Sequence, residues 1–184
     1  FHVYDRLHLE RVPRRYTVEA DTQLRGTWTL RQDAGRYDLW VLGPHGFVRH
    51  FVGDTRAAAP FALAPPELRV GYDSPSGNLY LLLKNASARA CTFAIAANAY
   101  FEQAPLRVTV AASRETARYF WLRSSGHWYD FSVTIDELPS WSRRLAGRVE
   151  TGRHSISDPA QGGPAHVDQP LSLIHISEPT RRRG

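Results

Sequence analysis

The feature that most constrains this chain is an internal duplication. Displaced by about 92 residues, the sequence falls on itself. Phe1-His-Val-Tyr lies on Phe93-Ala-Ile-Ala, and Tyr16-Thr-Val-Glu-Ala20 on Val108-Thr-Val-Ala-Ala112. Trp28-Thr-Leu30 lies on Phe120-Trp-Leu122, and Tyr37-Asp-Leu39 on Tyr129-Asp-Phe131. With two more residues inserted, Phe47–Gly53 lies on Trp141–Gly147. Aromatics fall on aromatics throughout, so the chain reads as two copies of one fold.

Within each copy the apolar period is two. Trp28 and Leu30 alternate with Thr27, Thr29 and Arg31, and Leu106, Val108 and Val110 alternate with Arg107 and Thr109. That period is the mark of strands with one buried face. Turn residues separate the runs at Asp33-Ala-Gly35, Gly43-Pro-His-Gly46, Ser74-Pro-Ser-Gly77 and Ser124-Ser-Gly126. Seven strands are expected in the second copy, near residues 68–72, 78–84, 91–101, 106–111, 115–123, 127–135 and 142–149. Short strands with turns at this spacing predict an all-β fold of two tandem immunoglobulin-like β-sandwich modules. Asp33-Ala-Gly-Arg-Tyr37 has the spacing of a structural tyrosine corner, and Tyr129 holds the equivalent place in the second copy.

The first copy has equivalents only for the third to seventh of these strands. Residues 1–56 are therefore expected to be a truncated first repeat, with an exposed edge at the strand that opens the chain and little cover over its core. A linker over 57–67 and a complete second repeat over 68–153 follow. Residues 154–170 read as a Pro/Gly-rich tail. Residues 171–184 contain Leu-Ser-Leu-Ile-His-Ile-Ser-Glu-Pro-Thr-Arg, which resembles translated sequencing adapter and is set aside from the fold. The absence of Met and a start within an alternating pattern lead us to expect a chain that begins inside a longer protein.

Composition removes several classes of function. Cys91 is the single cysteine, which excludes a disulfide framework and a cysteine-ligated structural zinc site. Lying in an apolar run, it is expected to be a buried, inert thiol. There is no run of apolar residues long enough to span a membrane as a helix. Lys84 is the only Lys among 23 basic residues, and removing 171–184 takes away three Arg and one Glu, lowering the net charge from +5 to +3. With carboxylates interspersed, no nucleic-acid partner is expected. No Gly-x-Ser-x-Gly elbow or phosphate-cradling Gly-rich loop occurs. His45 and His50 can approach across one hairpin, but no carboxylates cluster with them in the sequence. No catalytic residue, metal site or cofactor site is expected.

Two kinds of residue remain as candidates. Arg11, Arg14 and Arg15, then Arg143 and Arg144 with Arg148 and Arg153 beyond, form two clusters whose planar forks suit phosphate oxygens. They read either as contacts to lipid headgroups or as a solvated polar face. Trp121, Trp128 and Trp141 adjoin other aromatics, and a period of two cannot bury every member of Tyr119-Phe-Trp121 or Trp128-Tyr-Asp-Phe131. They read either as exposed platforms for carbohydrate or a membrane interface, or as filling between modules.

Four longer stretches carry a family resemblance: Phe1–Arg6, Pro13–Ala20, Gly35–Phe47 and Gly152–Pro159. They resemble the C-terminal region of bacterial phosphocholine-type phospholipases C. The resemblance implies an upstream catalytic domain of the alkaline-phosphatase-like superfamily, followed by two small C-terminal domains. It implies a secreted or periplasmic parent enzyme that hydrolyses phosphatidylcholine to diacylglycerol and phosphocholine. The family's metal-dependent residues belong to the upstream domain, so none is carried onto this chain. The modules are then expected to support the catalytic domain or to engage the phospholipid membrane surface. The alternative is a non-catalytic carbohydrate- or protein-binding β-sandwich.

Overall fold

The structure is a computed structural model, and it describes residues 1–19, 22–57 and 65–160. Its elements are β1 (His2–Asp5), β2 (Arg14–Arg15), β3 (Arg36–Leu42), β4 (Val48–Asp54), β5 (Glu67–Asp73), β6 (Asn78–Asn85), β7 (Cys91–Ala97), β8 (Leu106–Val110), β9 (Arg114–Phe120), β10 (Trp128–Ile135) and β11 (Ser142–Arg148). Strands β5 to β11 occupy the seven places read from the turn signals, although β7 and β9 stop short of their expected ends. No α-helix occurs among the described residues.

All strands join two sheets. The larger runs β2-β1-β3-β4-β11-β10-β7-β8, and the smaller runs β5-β6-β9. The small sheet packs on the β11-β10-β7-β8 half of the large one, and the alternation of each strand decides what lies between them. Leu79, Leu81 and Leu83 of β6 face Phe93 and Ile95 of β7 and Phe131 and Val133 of β10, all but Ile95 fully excluded from solvent. Phe120 of β9 meets Phe131 with ring centroids 4.5 Å apart. Burial of this kind is worth roughly 1.5–3 kcal/mol per large apolar side chain.

The two halves of the large sheet repeat each other's pairing. Val3 lies opposite Val41, as Ile95 lies opposite Val133. His2 pairs with Arg15, as Ala94 pairs with Arg107. Tyr37 pairs with Gly53, as Tyr129 pairs with Gly147. The halves meet where β4 pairs antiparallel with β11, centred on His50 opposite Arg144. These two residues are counterparts in the duplication, so the junction is a local pseudo-twofold axis.

The expected exposed edge at β1 is corrected by this arrangement: β1 lies between β2 and β3. The expected lack of cover is present. Within the first half Val3 is the one buried apolar residue among those described, whereas Leu39, Val41 and Phe51 are half-buried. Their counterparts Phe131, Val133 and Leu145 are buried beneath the small sheet. Residues 22–28, the counterpart of β9, form no strand. The reason is local: β9 pairs with β6 alone, and among the described residues the first half contains nothing equivalent to β6. Residues 58–64 of the expected linker, 161–170 of the expected tail and the adapter-like 171–184 lie outside the described residues. Beyond 153 the chain still makes contacts, since Trp128 Nε1 donates to the Ile156 carbonyl and Tyr100 to Asp158.

Equivalent truncations therefore differ in cost. Val133→Ala is expected to lower unfolding stability by about 2 kcal/mol and Val41→Ala by less than half of that. Urea denaturation of the two variants measures the difference, and equal losses would contradict the unequal cover described.

Candidate functional site

The junction of the halves holds the most unusual chemistry, two buried guanidiniums. Trp141 just before β11, then Arg143, Leu145 and Gly147 along it, alternate on the inner face, and along β4 the same face carries Arg49, Phe51 and Gly53. Arg143 is 4% exposed and Arg49 8%. Each clamps both strands of the seam. Arg143 Nη1 donates to the Ser142 and Val52 carbonyls at 2.9 and 2.7 Å. Arg49 Nη1 donates to the Val48 and Ala146 carbonyls at 2.7 and 2.9 Å. Each also reaches a tyrosine of the opposite half: Arg143 Nη2 donates to Tyr37 Oη at 3.0 Å, and Arg49 Nη2 to Tyr129 Oη at 2.9 Å.

The tyrosines are held by glycines across the ladder. A Cβ on Gly53 would come within 2.3 Å of the Tyr37 ring, and one on Gly147, at φ +150°, within 3.1 Å of the Tyr129 hydroxyl. The tyrosine-corner reading of Tyr37 and Tyr129 is thus replaced. Their hydroxyls serve guanidiniums of the opposite half, because the seam places an arginine above each ring. Strand β5 crosses the seam and finishes the network. At one end Glu67 accepts from Arg143 Nε at 3.1 Å and Nη2 at 2.9 Å, and at the other the Tyr72 hydroxyl accepts from Arg49.

The outer face of the seam is also paired. His50 Nε2 lies 2.6 Å from Asp38, and Arg6 Nη1 lies 3.2 Å from the same ring nitrogen. Arg144 makes a two-pronged contact with Asp130 at 2.9 and 2.6 Å, which raises its already high pKa. Asp38 and Asp130 are counterparts, as are His50 and Arg144.

Most of the candidate arginines are accordingly committed to partners within the chain. Arg143 is corrected from a headgroup contact to a buried structural residue. Arg11 pairs with Asp5 at 3.1 Å and reaches Gln32. Arg14 donates to the Thr27 carbonyl and stacks 3.9 Å over Trp28. Arg148 pairs with Glu150 at 2.7 Å, while Arg15 and Arg153 are exposed. The aromatics divide as well. Trp128 and Trp141 are buried and are corrected from exposed platforms. Trp141 packs edge-on against Phe93, and Trp128 covers Gly46. Trp121 is 76% exposed, next to Tyr119 at 63%. Tyr119 in turn packs on Tyr80 across β6 and β9, with centroids 5.3 Å apart.

His45 sits in the β3–β4 turn at φ +54°, while His50 Nε2 is engaged by Asp38 and Arg6. Cys91 is fully buried, and burial pushes its thiol up to about 11. Asp5, His8 and Asp33 form a cluster the sequence reading missed, because 25 residues separate His8 from Asp33. Their donor atoms lie within 4.8 Å of one another. His8 Nε2 bonds Asp33 at 2.5 Å, which raises the His8 pKa above 6.5, so His8 and Arg11 offset the two carboxylates.

The family model for the bacterial phospholipase C C-terminal domain matches residues 1–54 and 66–148. The chain belongs to this family. The first matched stretch contains β1 to β4 and the second contains β5 to β11. Among curated relatives, the chain is 39% identical over 164 residues to a non-hemolytic phospholipase C of Pseudomonas aeruginosa, covering 88% of the chain and 23% of that protein. It is 42% identical over 147 residues to a non-hemolytic phospholipase C of Burkholderia pseudomallei, covering 80% of the chain and 21% of the relative. A hemolytic phospholipase C of P. aeruginosa is 40% identical over 127 residues, covering 68% of the chain and 17% of the relative. The chain thus spans about a fifth of the length of these relatives.

In this phospholipase C C-terminal region, Arg49, Glu67 and Tyr72 were missed from sequence. A signal for Arg49 was available: an arginine two residues after an aromatic and four before a glycine recurs in both copies. The seam makes a clear prediction for the family fold. Arg143→Met is expected to lower stability by about 3 kcal/mol, since it orphans two buried carbonyls and Glu67. Glu67→Gln, at a half-exposed carboxylate, is expected to cost about 1 kcal/mol. Urea denaturation of both variants checks this, and a smaller loss for Arg143→Met than for Glu67→Gln would contradict it.

Proposed function

We propose that this chain is the C-terminal, non-catalytic part of a secreted phospholipase C, and that it engages the phospholipid surface through the outer face of its small sheet. In this reading the catalytic domain is the upstream partner in the same protein. It hydrolyses phosphatidylcholine to diacylglycerol and phosphocholine, while the C-terminal region holds no catalytic residue or cofactor of its own. The two halves are then two copies of one small domain. The names of the relatives supply the enzyme class.

One observation carries the choice of surface. Tyr119 and Trp121 are exposed where their counterparts in the first half are Thr27 and Thr29. Trp121 follows the last residue of β9 and stays outside the core, so packing between the sheets does not account for an aromatic there. Trp and Tyr favour the boundary between water and lipid, where an apolar ring and a polar tip are both satisfied. Leu106, Pro105 and Phe101 continue the patch beside Trp121. The arginines that were the competing candidates are largely held in ion pairs or against backbone carbonyls, which supports an aromatic rather than an electrostatic mode of attachment.

The test is binding to phosphatidylcholine vesicles, followed by tryptophan fluorescence and flotation. Binding is expected to persist at about 0.5 M salt, where surface electrostatics are screened. Trp121→Ala is expected to weaken it by about tenfold, while Arg15→Ala leaves it unchanged. Retention of glycans with no binding to vesicles would favour the carbohydrate-binding reading instead.

A further inference from the structure

Arg49 bears a buried charge with no acid bonded to it among the described residues. Among the described residues its hydrogen-bond partners are two backbone carbonyls and the hydroxyls of Tyr72 and Tyr129, all of them neutral groups. A buried cation without an anion is costly, so it marks a place where an anion is favoured. The other side of the pseudo-twofold axis shows what satisfies such a site. Arg143 makes the same carbonyl contacts and the same cross-half tyrosine contact, and the Glu67 carboxylate completes it. At Arg49 the corresponding place is taken by the Tyr72 hydroxyl.

Counting hydrogens shows where an anion would be received. Each phenol oxygen accepts a hydrogen bond from Arg49 Nη2. The two hydroxyls are 2.9 Å apart and share one hydrogen bond. That leaves one phenolic hydrogen with no acceptor among the described residues. Burial raises the Tyr129 pKa well above its ordinary value, so this hydroxyl stays protonated and supplies no counter-charge. Tyr72 and Tyr129 both line a groove of about 320 Å3 between the halves, with Phe47 and Ser74 also in its wall. Arg148 and Glu150 line it too, already paired with each other. The volume suits a small organic molecule.

We propose that this groove is a binding site for the anionic group of a small organic acid, a carboxylate or a phosphate monoester. The anionic oxygen accepts from the free hydroxyl of the Tyr72–Tyr129 pair. Arg49, behind both rings, makes that hydroxyl a stronger donor and supplies the charge. The aromatic wall holds the organic part. This site is separate from the aromatic face of the small sheet and does not depend on how that face is used.

The test uses the 184-residue chain with benzoate, phenyl phosphate and inorganic phosphate, followed by backbone-amide NMR shifts. Benzyltrimethylammonium serves as the cation control. Saturable shifts at Tyr72, Ser74 and Tyr129 are expected with benzoate or phenyl phosphate, and whichever binds more tightly identifies the acid. Tyr72→Phe is expected to weaken binding about tenfold. Glu150→Gln, which removes a negative charge from the groove, is expected to tighten it two- to threefold, an effect that loss of folding cannot produce. Trp121→Ala is expected to leave it unchanged. The proposal is overturned if no organic anion shifts these amides at tens of millimolar. It is equally overturned if the cation binds in preference, or if a well-folded Tyr72→Phe binds as tightly as the parent.

Discussion

The whole large sheet depends on the pairing of β4 with β11, and that pairing is organised by two buried arginines. A guanidinium removed from water loses several kcal/mol of hydration unless its donors are matched. Arg49 and Arg143 each match theirs with one carbonyl from each strand of the seam and a tyrosine hydroxyl from the opposite half. The consequence is register. A slip of one residue would turn one strand over against the other, sending Arg49 or Arg143 to the outer face and bringing His50 or Arg144 inward, so the paired contacts of that arginine would be lost. Strand β5 adds a second constraint, since Glu67 and Tyr72 reach the two arginines from its opposite ends.

The matching strand pairings of the two halves offer an internal comparison. Where the halves agree, as in the tyrosine–glycine pairs and the seam arginines, the residues serve the fold. Where they differ, the shared frame does not dictate the residue, although one half can still use it locally, as with buried Ser125 beside the Leu122 and Trp128 carbonyls. Tyr119 and Trp121 answer to Thr27 and Thr29, while Asp5, His8 and Asp33 answer to Ala97, Tyr100 and Ser125. The turns around Asp33 and Ser125 nevertheless close with the same backbone hydrogen bonds, to Leu30 and Leu122. The difference at Arg49, a hydroxyl where Arg143 has a carboxylate, belongs to this second group.

The sequence made the strands of the second half legible because alternation and turn residues are local properties. It also made the duplication legible, since aromatic positions recur at a fixed displacement. The seam was hidden because β4 and β11 are far apart in the chain and no local pattern names a partner. Burial of Arg143 was hidden for a different reason: arginine is usually exposed, and that general tendency outweighed the alternation that placed it on the face of Trp141 and Leu145. Trp121 and Trp128 were assigned alike because both adjoin aromatics. Their fates differ because β9 ends at Phe120, leaving Trp121 outside, whereas Trp128 starts β10 and packs over Gly46. The missing counterpart of β9 shows the same limit, since residues 22–28 have a strand-like pattern but no strand to pair with.

The seam register is tested most directly by a disulfide across it. His50 and Arg144 are direct partners on the outer face. Opposed Cα atoms in an antiparallel pair lie about 4.5–5.5 Å apart, within the span of a disulfide. Cys91 is buried with its thiol pushed up to about 11, so it does not compete. The account predicts that His50→Cys combined with Arg144→Cys forms an intramolecular disulfide under mild oxidation, seen as the loss of both thiols in a monomer. Retention of both introduced thiols alongside Cys91, or bonds formed only between molecules, would contradict the joined sheet.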